Sequence, residues 1–189
     1  MTETGSLSPS TFSLPALTLV IGGARSGKSR LAERLVSATR RPRTYIATAQ
    51  AFDTEMSDRI AQHISDRGPD WTTIEAPTDI ATALASCDPA GAILFDCATL
   101  WLSNMLLSDH DLNDASQKLM ETLSTSPAPI VIVSNEVGWG IVPENALARR
   151  FRDAQGRLNQ MIATRAALVI GAMAGLPFTL KGTLPEGIL

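Results

Sequence analysis

The hydrophobic positions of the chain fall into short β-branched runs separated by stretches with helical spacing. Leu17–Ile21 is the first such run, and it stops at Gly22-Gly23. From Lys28 to Thr39, Leu31, Ala32, Leu35 and Val36 lie on one stripe, which predicts a helix; Pro42 ends it by disfavouring helical backbone at Arg41. Thr44–Thr48 reads as a second strand. Asp53 to Ile64 combines an acidic first turn with Met56, Ile60 and His63 at helical spacing, and so predicts a second helix. Arg67–Asp70 is a turn, Trp71–Glu75 a short extended piece, and Asp79 suits the N-cap of a helix over Ile80–Ser86. Gly91–Asp96 is an apolar run closed by an acid, the pattern of a buried parallel strand.

The second half continues the alternation. A polar stretch from Ser108 to Asp114 leads into a helix over Ala115–Leu123, and Pro127 and Pro129 precede the β-branched strand Ile130–Ser134. Pro143 to Ala166 reads as a long helix with Leu147, Phe151, Leu158, Met161 and Ile162 inward. Leu168–Gly171 and Leu176–Lys181 are the last strands, Pro177 assigning the final one to an edge or outside the sheet. Strands alternating with helices predict a mostly parallel sheet with right-handed crossings. Ligands of such sheets sit beyond the carboxyl ends of the strands, where Asp96 and Ser134-Asn135-Glu136 also fall.

The first strand and helix flank Gly22-Gly23-Ala24-Arg25-Ser26-Gly27-Lys28-Ser29, which fills the phosphate-binding pattern Gly-x4-Gly-Lys-Ser. Glycines let backbone N–H groups turn around phosphate oxygens, and the helix start directs its partial positive charge at them. Lys28 suits the β- and γ-phosphates of a nucleoside triphosphate, and the Ser29 hydroxyl suits Mg²⁺. The expected fold class is therefore α/β, P-loop nucleoside triphosphate hydrolase-like (RecA-like), with a mostly parallel central sheet flanked by helices. One domain over residues 17–189 follows a disordered lead-in, residues 1–16, rich in Ser, Thr and Pro.

Composition narrows the class. With 189 residues, 44% hydrophobic and 19% charged, the chain has enough apolar sequence for one sizeable core. A net charge of −3 lacks the basic footprint of a nucleic-acid partner. Cys87 and Cys97 make neither a disulfide framework nor a metal-ligand rhythm. No apolar stretch is long enough for stable membrane insertion, and no secretory signal is evident, so a cytoplasmic enzyme is expected.

Asp96 ends its strand where a nucleotide enzyme keeps an acid for Mg²⁺, or else simply faces solvent. Cys97 beside it reads as buried filler. His63, near Arg59 and Arg67, can serve as acid/base or as a nucleophile on phosphorus, or be an ordinary helix histidine; His110 lies among acids and reads as exposed. Trp139, between Gly138 and Gly140, can cover an apolar substrate or pack as loop. Arg149, Arg150, Arg152 and Arg157 crowd one helix, mostly as solvated surface.

The order of these pieces is more specific than any one of them. The phosphate loop, Tyr45-Ile-Ala-Thr48, Glu55-Met-x-x-Arg-Ile-x-x-His63 with Arg67, and Trp71 with Glu75 come first. Ser134-Asn-Glu-Val-Gly-x-Gly-Ile-Val-Pro-Glu-Asn145, Ala148-Arg-x-Phe-Arg-Asp153 and Gly156-Arg-x-Asn-Gln160 follow. Together they resemble the bifunctional adenosylcobinamide kinase / adenosylcobinamide-phosphate guanylyltransferase family of cobalamin biosynthesis. The resemblance implies phosphorylation of adenosylcobinamide by ATP or GTP. It further implies transfer of GMP from GTP through a covalent GMP-histidine, matching His63, to adenosylcobinamide phosphate, with pyrophosphate released. It implies that Ala47, Thr48, Ala49, Ile64, Ser65, Asp66, Arg67, Glu75 and Asp96 line the nucleotide site, with Ser29 and Asp96 toward Mg²⁺, and that the protein is a homotrimer. Ala49 stands where relatives often have serine, and Asp96 where some have glutamate. A single-activity P-loop small-molecule kinase and a nucleotide-sensing regulatory protein are the competing readings.

Overall fold

The computed structural model describes residues 13–51 and 53–185. Within them seven strands form one sheet: β1 (Leu17–Gly22), β2 (Arg43–Ala47), β3 (Trp71–Glu75), β4 (Ala92–Asp96), β5 (Ile130–Asn135), β6 (Leu168–Met173) and β7 (Leu176–Lys181). Their order is β3-β2-β4-β5-β1-β6-β7. The first six strands pair in parallel, and only β7 runs antiparallel, at the edge beside β6. Pro177 sits in that edge strand opposite Ala172, where the lost N–H costs no central ladder bond.

Among the described residues six helices accompany the sheet: α1 (Lys28–Ala38), α2 (Thr54–Arg67), α3 (Ile80–Ala85), α4 (Ala98–Leu107), α5 (Leu112–Ser124) and α6 (Ala146–Arg165). Alternate residues of each strand feed two cores. Leu19, Ile46, Ile93, Phe95, Ile130 and Ile132 face the layer of α3 to α6. Val20, Tyr45, Leu94, Val131, Val133 and Ile170 face α1, where Leu31, Ala32, Leu35 and Val36 form the expected stripe. This is the period-two split required of a sheet covered on both faces.

Four expectations need correction. α4 was not foreseen: Ala98, Thr99, Trp101, Leu102 and Asn104 are buried around much of its circumference, so the sequence carries no single apolar stripe. α5 begins at Leu112 rather than Ala115, because the Asp111 side chain accepts from the N–H groups of Asn113 and Asp114. α6 begins at Ala146 rather than Pro143, capped by Asn145, and Leu147 is 50% exposed rather than inward. Its buried positions include the polar Gln155 and Asn159. Of the expected lead-in, residues 1–12 lie outside the described residues, whereas Leu14 is buried against the α1 core.

Candidate active site

β1 delivers the chain to a turn that has no room for side chains at its entrance. A Cβ on Gly22 would stand 2.6 Å from Ser26 Oγ and closer still to the Ala172 carbonyl oxygen. Arg25 and Gly27 take φ of 55° and 91°, and Gly175 N–H donates to the Ser26 carbonyl at 3.0 Å, tying the turn to the β6–β7 connection. The N-terminus of α1 has no side-chain cap, which leaves its first N–H groups for an anion. Ser26 Oγ is buried without a hydrogen-bond partner among the described residues. An uncapped helix start beside an orphaned buried hydroxyl fits a phosphate cradle.

Lys28 is buried, and its Nζ donates to the Gly23 carbonyl at 3.1 Å, folding the side chain back over the loop. Burial holds its pKa below the ordinary lysine value, with Cys97 and Asp96 pulling the other way. β4 ends at Asp96 as expected, and Ser29 and Asp96 line one cavity of about 560 Å³ at the carboxyl edge of the sheet. These are two hard oxygen donors. Among the described residues no group of three or more His, Cys, Asp and Glu could hold a metal. That donor set suits Mg²⁺, which keeps waters and substrate phosphates as most of its ligands.

α2 supplies one wall of this cavity. Its N-cap Asp53 accepts from Met56 N–H at 2.7 Å, and its last turn ends at Gly68 with φ of 78°. Arg59, His63 and Arg67 recur every fourth residue, so they share one face, and all three line the cavity. Arg67 is the most constrained: its guanidinium lies 3.7 Å from the Tyr45 ring centroid, and Nη2 donates to Thr73 Oγ1 at 2.8 Å. Its Nε is buried without a partner among the described residues. α2 buries no residue, and its apolar positions Met56, Ile60 and Ile64 line the cavity instead of a core.

The structure brings Lys28, Ser29, Ala47, Ala49, His63, Ile64, Arg67, Glu75 and Asp96 to this one cavity. Thr48 is not on its wall. It is fully buried, its Oγ1 donating to the Cys97 carbonyl at 2.9 Å and accepting from Cys97 N–H at 2.8 Å, so it fixes the end of β4. Ser65 is exposed and lines neither cavity, and Asp66 faces a second cavity of about 600 Å³ that shares Ser29, His63 and Arg67 with the first. Cys97 is inert packing: burial pushes its thiol up to about 12, and its sulfur caps α4 by accepting from Leu100 N–H. His110 is exposed, and Trp139 is 76% exposed on its glycine-flanked loop.

Several supporting contacts join residues whose pairing the sequence did not reveal. Asn104 Nδ2 donates to the carbonyls of Thr48 and Pro77, both at 2.9 Å, joining the ends of β2 and β3. Ser134, Gln155 and Asn159 form a buried network that ends on the Asn135 carbonyl, and Asn135 lines the first cavity. Glu33, one helical turn beyond Ser29, faces the second cavity, and burial pushes its carboxyl up to about 7, with Asp96 adding to the rise and Arg67 opposing it. The four-residue spacing from Ser29 was the available signal.

Comparison with known proteins adds an independent line. The pattern of the family described as "Cobinamide kinase / cobinamide phosphate guanyltransferase" matches residues 18–180. The "Bifunctional adenosylcobalamin biosynthesis protein CobP" of Pseudomonas aeruginosa is 49% identical over 167 residues, covering 87% of this chain and 96% of that protein. The "Bifunctional adenosylcobalamin biosynthesis protein CobU" of Salmonella typhimurium is 40% identical over 182 residues, covering 87% and 99%. In structure, the chain is similar to the ATPase EscN of the enteropathogenic Escherichia coli type III secretion system. The TM-score is 0.54 at 11% identity, over 84% of this chain and 43% of that one. That likeness concerns the fold alone: a mostly parallel α/β sheet flanked by helices.

Proposed function

The chain belongs to the cobinamide kinase / cobinamide phosphate guanyltransferase family, and on that premise we propose how its residues divide the two reactions. It is a bifunctional enzyme. It phosphorylates adenosylcobinamide with ATP or GTP, then transfers GMP from GTP to adenosylcobinamide phosphate, giving adenosylcobinamide-GDP and pyrophosphate. One P-loop domain over residues 17–189 carries both steps. A RecA-like arrangement is supported by the strand order, in which β5 separates the phosphate-loop strand β1 from the acid-bearing β4.

The observation that carries the assignment of residues is the shared cavity, where Lys28, Ser29 and Asp96 meet Arg59, His63 and Arg67. Residues Gly22 to Ser29 hold the triphosphate, and Lys28 leaves the Gly23 carbonyl for its oxygens. Ala47, Ala49, Ile64 and Glu75 bound the nucleotide, with Ser65 and Asp66 at its margin, and Thr48 acts through the β4 end that it holds. Mg²⁺ held by Ser29 and Asp96 would offset charge on the phosphates. In the second reaction a ring nitrogen of His63 forms a bond to the α-phosphorus of GTP. The bond to the bridging oxygen breaks, and pyrophosphate leaves with the electron pair. The acceptor's phosphate oxygen then displaces the imidazole. Arg59 and Arg67 offset the negative charge that gathers during both displacements. A cytoplasmic homotrimer completes the reading, the exposed apolar edge of Leu176 and Leu180 on β7 being consistent with subunit contact.

GTP labelled on its α-phosphate tests the central step. Wild-type protein should acquire acid-labile label, and His63→Ala should remain at background while still phosphorylating adenosylcobinamide. Equal labelling of both proteins removes His63 from the mechanism. Labelling of neither, with phosphate still appearing on the corrinoid, leaves a kinase alone.

A further inference from the structure

Two cavities meet at one wall made of Ser29, His63 and Arg67. The reactions proposed above need two compartments with such a boundary, since a nucleotide on one side must pass first its terminal phosphoryl group and later its nucleotidyl group to an acceptor. The first cavity adjoins the phosphate loop and belongs to the nucleotide. The second, of about 600 Å³, is lined by that wall, by Ser37, Asp66 and Trp71, and by Arg30, Glu33 and Arg34 of α1. Nothing in the nucleotide reading uses those three side chains.

We propose that this second cavity receives the alcohol-bearing end of the corrinoid acceptor, and that Glu33 takes the acceptor hydroxyl's proton in the kinase step. The inference rests on the bifunctional reading and adds to it the place and the proton acceptor of its substrate. Placement supports it in two ways. Glu33 lies on α1 one turn from Ser29, so both side chains project from the same face, Ser29 lining both cavities and Glu33 the second alone. The cavity also holds the two cations, Arg30 and Arg34, that a phosphate monoester would need and an alcohol would not.

The chemistry closes. The hydroxyl oxygen forms a bond to the γ-phosphorus, and the bond from that phosphorus to the β–γ bridging oxygen breaks. The nucleoside diphosphate departs with the electron pair, and the hydroxyl proton passes to Glu33. One position must then tolerate a neutral alcohol before the reaction and a phosphate dianion after it. A permanently ionised carboxylate would repel the product, whereas a carboxyl that has just gained a proton donates a hydrogen bond to it. The groups facing Glu33 keep it near this balance. Burial and Asp96 of β4 favour the protonated form, with Asp66 of α2 on the same side, and Arg67 of α2 and Arg30 of its own helix favour the ionised form.

The test compares wild type, Glu33→Gln, Glu33→Asp and Arg34→Ala, following phosphate transfer from ATP to adenosylcobinamide between pH 6 and 9. In wild type, kcat/KM for the alcohol should fall about tenfold per pH unit on the acid side of Glu33's titration. Glu33→Gln should lower kinase kcat about a hundredfold, abolish that limb and leave KM for ATP within about twofold. Glu33→Asp should restore the limb at reduced kcat. Arg34→Ala should raise KM for adenosylcobinamide phosphate about tenfold and leave KM for the alcohol nearly unchanged. A Glu33→Gln enzyme with wild-type kcat and pH profile overturns the proton assignment. So does a parallel fall in His63 labelling from GTP, which marks a structural role. Equal KM changes for both acceptors with Arg34→Ala overturn the acceptor cavity. Wild-type enzyme that yields no phosphorylated corrinoid overturns the parent reading, and this one with it.

Discussion

Glu33 also gives the residue scale its clearest thermodynamic consequence. Its carboxyl titrates at about 7 in the fold against an ordinary value of 4.5, with burial as the leading cause. The folded state therefore binds that proton more tightly than the unfolded chain does. Stability contributed by the neutral carboxyl is present below about 4.5 and is lost as pH rises to about 7. Glu33→Gln keeps the shape and removes the titration. The Tm of the variant minus that of wild type should therefore increase between pH 5 and pH 8 and level off above, as read by thermal scans at fixed ionic strength. A difference that stays flat across the range would place Glu33 in ordinary solvent. Thr48 is the contrasting case, because its hydroxyl is engaged by Cys97 on both sides, so its part in the site is to hold Asp96 at the sheet edge.

At the scale of elements, legibility followed how each segment is buried. β4, β5 and α1 could be read from composition and period alone, since each presents either a continuous apolar run or a single stripe. α4 could not, because Trp101, Leu102 and Asn104 are buried on different sides and erase the period. The start of α6 was misplaced because Pro143 marks only the approach, while Asn145 caps the helix. The strand–turn–helix setting of the phosphate-loop motif was legible, because its residues are local in sequence, and the Arg59–His63–Arg67 stripe nearly so. The Ser134–Gln155–Asn159 network and Glu33's partners are separated along the chain, and only the packing reveals them. α2 is legible for an unusual reason: it buries nothing, so its pattern describes a cavity wall. Its integrity then depends strongly on local terms such as the Asp53 cap. Asp53→Ala should weaken α2 by about 1 kcal/mol, raising amide exchange at Met56 and Ser57 about fivefold and leaving the global Tm nearly unchanged. A matching drop in global Tm would mean that α2 unfolds only with the sheet.

Over the whole molecule, the site is an edge held by two cores, and this separates stability from binding in a way that can be measured. Phe95 is fully buried one residue before Asp96, on the face of β4 that packs against α3 to α6, opposite the α1 face. Phe95→Ala removes that contact and leaves a cavity, at a cost of about 3–5 kcal/mol. For a chain of this length the Tm should fall by roughly 6–20 °C. The backbone register that carries Asp96 is set elsewhere, by pairing of β4 with both β2 and β5 and by the Thr48 clamp. Nucleotide affinity should therefore change far less than stability. GTP at a hundred times its Kd should stabilise wild type and variant alike by about 2.7 kcal/mol, measured as the increase in unfolding free energy from denaturant titrations with and without nucleotide. If the variant gained much less than wild type, the α3–α6 core would have to be shaping the phosphate site directly, and the separation between the layer that stabilises the fold and the edge that binds would fail.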